Sequence, residues 1–310
     1  MSPADVHCPP DAHSQRDALL VSPAWLQAHL GDPGLRIIDC SAQLIVQPVG
    51  ASRVDSGLPH YLQAHVPGAF YLNMATDLSD PQGRYPYTMA PDAQIEALLG
   101  GMGITAQHHI VLYGHGYLGS VTRAWFVLHA SGHAQVSLLD GGFERWVQEG
   151  RPVNNALPSP VPTAYQVQRR AGLVSTAQDV LVALDDPQTH LINALSRVQF
   201  LGTGGTHYGR PGSIPGSVSV PARDMLDLQS NRLLPDAQLR AQLAQAGIWQ
   251  RPRAITYCGG GIAASMTAFV LQMLGHRQWS LYDNSLLEWS SRPDLPIQCH
   301  ADAAGPNLAD

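Results

Sequence analysis

A long internal repeat constrains this chain more than any other feature. Pro91-Asp92-Ala93-Gln94-Ile95-Glu96-Ala97 returns as Pro235-Asp236-Ala237-Gln238-Leu239-Arg240-Ala241, a shift of 144 positions. Gly103-Ile104 answers Gly247-Ile248 and Ile110-Val111-Leu112-Tyr113 answers Ala254-Ile255-Thr256-Tyr257 at the same shift. Gly132-His133 matches Gly275-His276, and Trp146 matches Trp289, at 143. A period this long is a duplicated domain and not a solenoid unit. The 310 residues are enough for two domains with a core each. The repeat divides the chain into residues 18–150, a linker over 151–170 and residues 171–298. The linker holds Pro152, Pro158, Pro160 and Pro162, which cannot continue a helix or donate to a ladder. The weakly patterned tail after Ile297 reads as frayed.

Within each copy, short apolar runs alternate with helical patterns. Leu35–Asp39, Ile110–Tyr113, Ser137–Leu139, Leu191–Asn193, Ala254–Tyr257 and Ser280–Tyr282 read as buried strands. Met266, Phe269, Val270, Met273 and Leu274 form one apolar stripe of a helix that Gly275 ends. Val121, Ala124, Trp125 and Leu128 repeat that stripe ahead of Gly132. Ser22-Pro23 has the form of an N-cap followed by proline at the first helical position. Alternating strands and helices predict an α/β fold, with a mostly parallel sheet flanked by helices in each half.

Charge and composition exclude several functions. The net charge is −6, which disfavours a nucleic-acid or membrane-surface partner. All 18 basic residues are arginines, so no lysine is available for a Schiff base or a P-loop. The histidines show no metal-ligand spacing, and neither a metal nor a cofactor is expected. Cys8, Cys40, Cys258 and Cys299 make no Cys-x-x-Cys pair, which suits a reducing, cytoplasmic setting. The polar segment Met1–Arg16 lacks the basic start and apolar run of a secretory signal, and no apolar run reaches the roughly 20 residues of a membrane span.

Chemistry in parallel α/β sheets gathers beyond the carboxyl ends of the strands. Cys258 falls there, between the strand ending at Tyr257 and a helix, followed by Gly259, Gly260 and Gly261. Consecutive glycines let a backbone curl so that amides form an anion-binding nest, and the following helix directs its positive end at the same point. Both effects favour a thiolate. In the first half Gly114 stands where Cys258 would be, as in a supporting copy without a nucleophile.

The ordered motifs resemble the tandem rhodanese-domain sulfurtransferases, the thiosulfate and 3-mercaptopyruvate sulfurtransferases. The resemblance runs over about residues 19 to 297. It is carried by Ala64-His65-Val66-Pro67-Gly68-Ala69, Ser137-Leu138-Leu139-Asp140-Gly141-Gly142-Phe143, Phe200-Leu201-Gly202-Thr203, Ser213-Ile214-Pro215-Gly216-Ser217, Tyr257-Cys258-Gly259-Gly260-Gly261 and Tyr282-Asp283 with Trp289. It implies two rhodanese-like domains, the second catalytic, and a cleft between them. It also implies a substrate loop of Cys258, Gly259, Gly260, Gly261, Ile262 and Ala263. Sulfur would pass from a small-molecule donor, through a persulfide on Cys258, to a thiol or cyanide.

Thiosulfate-using members carry basic residues after the cysteine; this loop begins Cys-Gly, as in the mercaptopyruvate branch. That branch has a serine at Gly260 and a threonine at Ala263, both missing here, and its substrate arginine aligns with Gln199. Arg210 and Arg197 are the candidates to grip a donor carboxylate in its place. His65 and Asp55 match a proton relay of that branch, although a histidine in that place more often only hydrogen-bonds its neighbouring backbone. A cysteine phosphatase would need an arginine at Ala264. A non-catalytic rhodanese-like binding module is the alternative reading.

Overall fold

The computed structural model describes residues 15–47, 49–203 and 207–299. Cys8, the rest of the polar N-terminus before Gln15 and the tail beyond Cys299 lie outside the described residues.

Two five-stranded sheets dominate the architecture. The first holds β1 (Leu20–Val21), β2 (Leu35–Asp39), β3 (Phe70–Tyr71), β4 (His109–Tyr113) and β5 (Val136–Leu139), in the order β1-β5-β4-β2-β3. The second holds β6 (Val174–Ser175), β7 (Thr189–Asn193), β8 (Val218–Ser219), β9 (Arg253–Tyr257) and β10 (Gln278–Tyr282), in the order β6-β10-β9-β7-β8. Counted within its own half, each sheet has the order 1-5-4-2-3, and every pairing in both sheets is parallel. The central strands are covered on both faces, which is why their residues are buried in continuous runs and not alternately.

The helices follow the same duplication. Asp92–Gly101 (α1) and Leu118–Ala130 (α2) in the first half answer Asp236–Gln245 (α3) and Ile262–Met273 (α4) in the second, and Ser285–Trp289 (α5) follows β10. Ser22 caps its short helix, accepting from the Trp25 amide at 3.1 Å, with Pro23 at the first helical position.

The single apolar stripe expected on α4 understates its burial. Ala264, Ser265, Thr267, Ala268 and Leu271 are as buried as Met266, Phe269 and Met273. The reason is that α4 is covered by its own sheet on one side and by α2 of the other half on the other. Thr122 Oγ1 meets Ser265 Oγ at 2.9 Å, and Trp125 stands edge-on to Phe269 with ring centroids 4.9 Å apart. One hydrophobic core therefore runs through both halves, from Leu112 and Val121 to Phe269 and Leu281. A second cluster, with Leu26, Tyr61, Val111 and Trp146, lies on the far face of the first sheet.

Residues 151–170 lie along the first domain. The Thr163 amide donates to the Gly100 carbonyl at 2.9 Å, Arg169 pairs with Asp92, and the Trp146 indole donates to the Pro152 carbonyl. At the other end of the chain, Gln298 is pinned and not frayed: its amide and carbonyl both bond to Ser213, at 2.8 and 2.9 Å.

Candidate active site

Cys258 follows β9 directly, and α4 starts four residues later at Ile262. Gly261 makes the turn between them as the residue before the helix, at φ +81°, a left-handed conformation that a side chain disfavours. The loop carbonyls are held from behind, with the Leu286 amide donating to Cys258 and the Leu287 amide donating to Gly259. The Cys258 amide itself donates to Ser285 Oγ at 3.1 Å. Among the described residues, the amides of Gly259, Gly260, Gly261, Ile262 and Ala263 have no protein acceptor. Five unpaired donors at the first turn of a twelve-residue helix make a strong electropositive end.

The thiol is closed off. Cys258 is 2% exposed, so the cleft implied by the resemblance is shut over the sulfur in this structure. Its cover is aromatic and comes from both halves. The Tyr208 ring packs on Gly259, while Leu287 and Tyr87 pack on Gly260. The phenols of Tyr208 and Tyr117 both lie within electrostatic reach of the Cys258 sulfur. Their ionisation is pushed up, first by burial and then by that sulfur.

Arg123 of α2 crosses from the first half. It is fully buried, pairs with Asp283 at 2.6 Å and donates to the Tyr87 carbonyl at 2.7 Å. Asp283 also accepts from the Met89 amide, and Thr88 Oγ1 donates to the Asn284 side chain. The segment Tyr87–Met89 is thereby tied to the residues just after β10. A Cβ on Gly261 would come within 3.0 Å of Arg123 Nη1, so the guanidinium lies against the cysteine loop.

The other cysteines differ. Burial, with Asp39 and Asp77 adding repulsion, pushes the Cys40 thiol well up, so it is a core residue. Cys299 is exposed. In the first half, Gly114 borders a cavity of about 10 Å³ with Tyr113, Tyr117, Val121 and Asn231, room for no more than one water.

Two of the expected helpers are placed elsewhere. Arg210 does not face a donor: its guanidinium donates to the carbonyls of Trp289, Ser290, Arg292 and Leu295, at 2.7 to 3.3 Å. It clamps the chain after α5, because four main-chain acceptors need a cation's donors. The His65–Asp55 relay is not assembled. His65 is fully buried, with Nδ1 2.7 Å from the Tyr61 carbonyl, Nε2 3.2 Å from the Ala156 carbonyl and its ring stacked on Tyr61. Asp55 is bound through both oxygens to Arg53, which holds its carboxyl below the usual range. Arg197 is exposed in the first turn of the helix Arg197–Leu201, beyond the carboxyl end of β7, and among the described residues no carboxylate partner is paired with it.

The sequence reading missed Tyr87, Tyr117, Tyr208, Arg123 and Ser285. Arg123 carried a signal, a lone charge inside the apolar run Val121–Leu128. The tyrosines and Ser285 carried none, because they reach the loop only through tertiary contacts.

A rhodanese-like domain model matches this chain twice, over residues 22–149 and 176–292. The chain belongs to the rhodanese-like domain family. Among relatives of this rhodanese chain, a probable 3-mercaptopyruvate sulfurtransferase of Pseudomonas aeruginosa is 32% identical over 289 residues, 90% of this chain and 98% of that one. The mitochondrial thiosulfate/3-mercaptopyruvate sulfurtransferase 1 of Arabidopsis thaliana is 28% identical over 302 residues, 90% of this chain and 78% of that one. Among solved structures, SseA from Escherichia coli, described as a 3-mercaptopyruvate sulfotransferase, superposes with a TM-score of 0.77 at 25% identity, covering 86% of this chain and 98% of that one.

Proposed function

We propose that this rhodanese-family chain is a sulfurtransferase that carries sulfur as a persulfide on Cys258, between 3-mercaptopyruvate or thiosulfate and a thiol or cyanide. The observation that carries the reading is the set of five unpaired amides, Gly259 to Ala263, at the first turn of α4 beside a cysteine. Main-chain donors of this kind, left free at a helix N-terminus, can receive an anion without a cation.

With 3-mercaptopyruvate, the Cys258 thiolate attacks the donor sulfur and the sulfur–carbon bond breaks. The bonding pair passes to carbon as an enolate, which takes up the proton of the mercapto group to give pyruvate, and Cys258 is left as the persulfide anion. With thiosulfate, the sulfur–sulfur bond breaks and sulfite leaves. In the second half, the acceptor attacks the outer sulfur and the Cys258 thiolate returns, a ping-pong sequence. Because Cys258 is 2% exposed, the aromatic cover shifts when a donor enters. Arg197 is the arginine in this reading that could meet a donor carboxylate.

A reducing compartment of the cytoplasmic kind keeps Cys258 available as a thiol. No described helix is long and apolar enough to cross a membrane.

Intact mass after incubation with each donor tests the reading. Wild type gains about 32 Da, one sulfur atom, and Cys258→Ser does not, whereas Cys40→Ser still does. An adduct that persists in Cys258→Ser, or no adduct with either donor, overturns it.

A further inference from the structure

Sulfur transfer from 3-mercaptopyruvate leaves an enolate, and a proton must reach the carbon that held the sulfur. The cysteine loop has no side chain to deliver it: Gly259, Gly260, Gly261, Ile262 and Ala263 carry no polar group. The hydroxyls behind the loop are committed. Ser285 Oγ accepts the Cys258 amide and donates to the Tyr282 carbonyl, and Ser265 Oγ donates to the Ile262 carbonyl at 2.6 Å. His65 is turned to the carbonyls of Tyr61 and Ala156.

Three tyrosines cover the loop, and geometry separates them. The Tyr87 phenol accepts from the Val54 amide at 3.1 Å, and its ring meets Gly260 through Cδ2. Tyr117 folds back over its own helix, where a Cβ on Gly119 would lie 2.5 Å from its phenol oxygen. Tyr208 presents its phenol to the loop: a Cβ on Gly259, the residue next to Cys258, would lie 2.6 Å from the phenol oxygen. The Tyr208 carbonyl accepts from Ser290 Oγ, so the ring swings on an anchored backbone when the cover shifts for a donor. Burial first, and the Cys258 sulfur next, push its ionisation up, so the phenol keeps its proton across the neutral range. The carbon that needs a proton is one bond from the transferred sulfur, and a donor seated on Cys258 brings it within reach of that phenol.

We propose that Tyr208 is a catalytic residue, the proton carrier that turns the enolate into pyruvate: its phenol protonates the methylene carbon as the sulfur–carbon bond breaks, and it recovers a proton from the new persulfide. The bonding pair of the broken bond takes the phenolic proton, pyruvate leaves, and the S–H proton of the Cys258 persulfide, which began as the mercapto proton, restores the phenol. The protons balance without a co-reactant, and no net charge is left on the ring. The proposal rests on the sulfurtransferase reading above.

The test is a single turnover of excess enzyme with 3-mercaptopyruvate, reading pyruvate. Beside it run two reactions at the same sulfur that put no proton on carbon: release of sulfite from thiosulfate, and alkylation of Cys258 by iodoacetamide, read by peptide mass. Tyr208→Phe keeps the ring and removes the proton. Its pyruvate formation slows by about tenfold or more, the scale of a lost general acid. Its sulfite release and its alkylation stay within about twofold of wild type, because neither uses the phenol. Pyruvate formation at the wild-type rate in Tyr208→Phe overturns the proposal. So does an equal fall in all three reactions, which makes the ring a packing element alone, and so does a wild type that takes sulfur from thiosulfate but forms no pyruvate. Absence of any sulfur adduct on wild type with either donor overturns the sulfurtransferase reading instead.

Discussion

Ser285 Oγ accepts the Cys258 amide at 3.1 Å and donates to the Tyr282 carbonyl at 2.8 Å, from a backbone held at φ +49°. One hydroxyl thus ties the Cys258 peptide to the end of β10. The residue sits in a left-handed conformation that is uncommon for anything but glycine, asparagine or aspartate. Ser285→Ala keeps that backbone and leaves a buried N–H without an acceptor, a cost of about 1–3 kcal/mol. Chemical denaturation should show the midpoint falling with an unchanged slope. Single-turnover persulfide formation should slow beyond what the unfolded fraction accounts for, because the loop loses its rear anchor.

The Arg123–Asp283 pair joins the halves directly behind that loop. Arg123 is fully buried, so removing either partner strands a charge in the core, and Arg123→Met or Asp283→Leu should each cost about 3–5 kcal/mol. The double variant Arg123→Met/Asp283→Leu leaves no stranded charge and should cost clearly less than the sum. Urea unfolding of the four proteins reads the coupling. Additive costs would mean that the pair does not act as a unit.

The sheets, the duplication and the cysteine loop were legible in the sequence because they depend on local pattern. Runs such as Ile110–Tyr113 and Ala254–Tyr257 are apolar since both faces of a parallel sheet are covered, and the observed strands extend them by one residue, to His109 and Arg253. The buried back of α4 was not legible. A stripe at helical spacing announces one covered face, whereas Ala264, Ser265 and Ala268 are small residues whose burial follows from the approach of α2. What Arg210 and His65 hold was open in the sequence for a related reason. Residue type and spacing permit a carboxylate grip or a relay, but hydrogen bonds to carbonyls up to 91 residues away decide what those side chains do.

Acid should weaken the fold through its buried histidines. Burial first, and Arg170 second, lower His129 from the ordinary 6.5 to about 4. Its ring stacks on Trp125, and Arg170 Nη1 lies 2.9 Å from Nδ1. The native state therefore holds His129 neutral, while the unfolded chain takes up a proton below 6.5. The stability tied to this difference is present above pH 6.5 and is lost as the pH falls toward 4, up to about 3 kcal/mol. His109, His133, His190 and His276 are lowered in the same direction by burial and add to the trend. Melting temperatures measured from pH 7.5 to 4.5 should fall, and His129→Gln should flatten the curve over that window. A slope equal to that of wild type would remove His129 from the account.

The unassembled relay separates two neighbours that the sequence grouped together. Asp55 is partly exposed on a hairpin strand and held by Arg53, so Asp55→Asn removes a solvent-screened pair worth little to stability. If Asp55 takes no part in proton transfer, Asp55→Asn keeps kcat and its pH profile within about twofold of wild type. His65 differs, because its ring carries the contact between the helix Leu58–Gln63, at Tyr61, and Ala156 of the segment joining the halves. His65→Asn should lower stability by about 1–3 kcal/mol through the unpaired buried carbonyl of Tyr61, with kcat per folded molecule nearly unchanged. A loss of kcat in both variants, with a shared shift of one limb of the pH profile, would restore the relay. It would also require the Arg53–Asp55 pair to open during turnover.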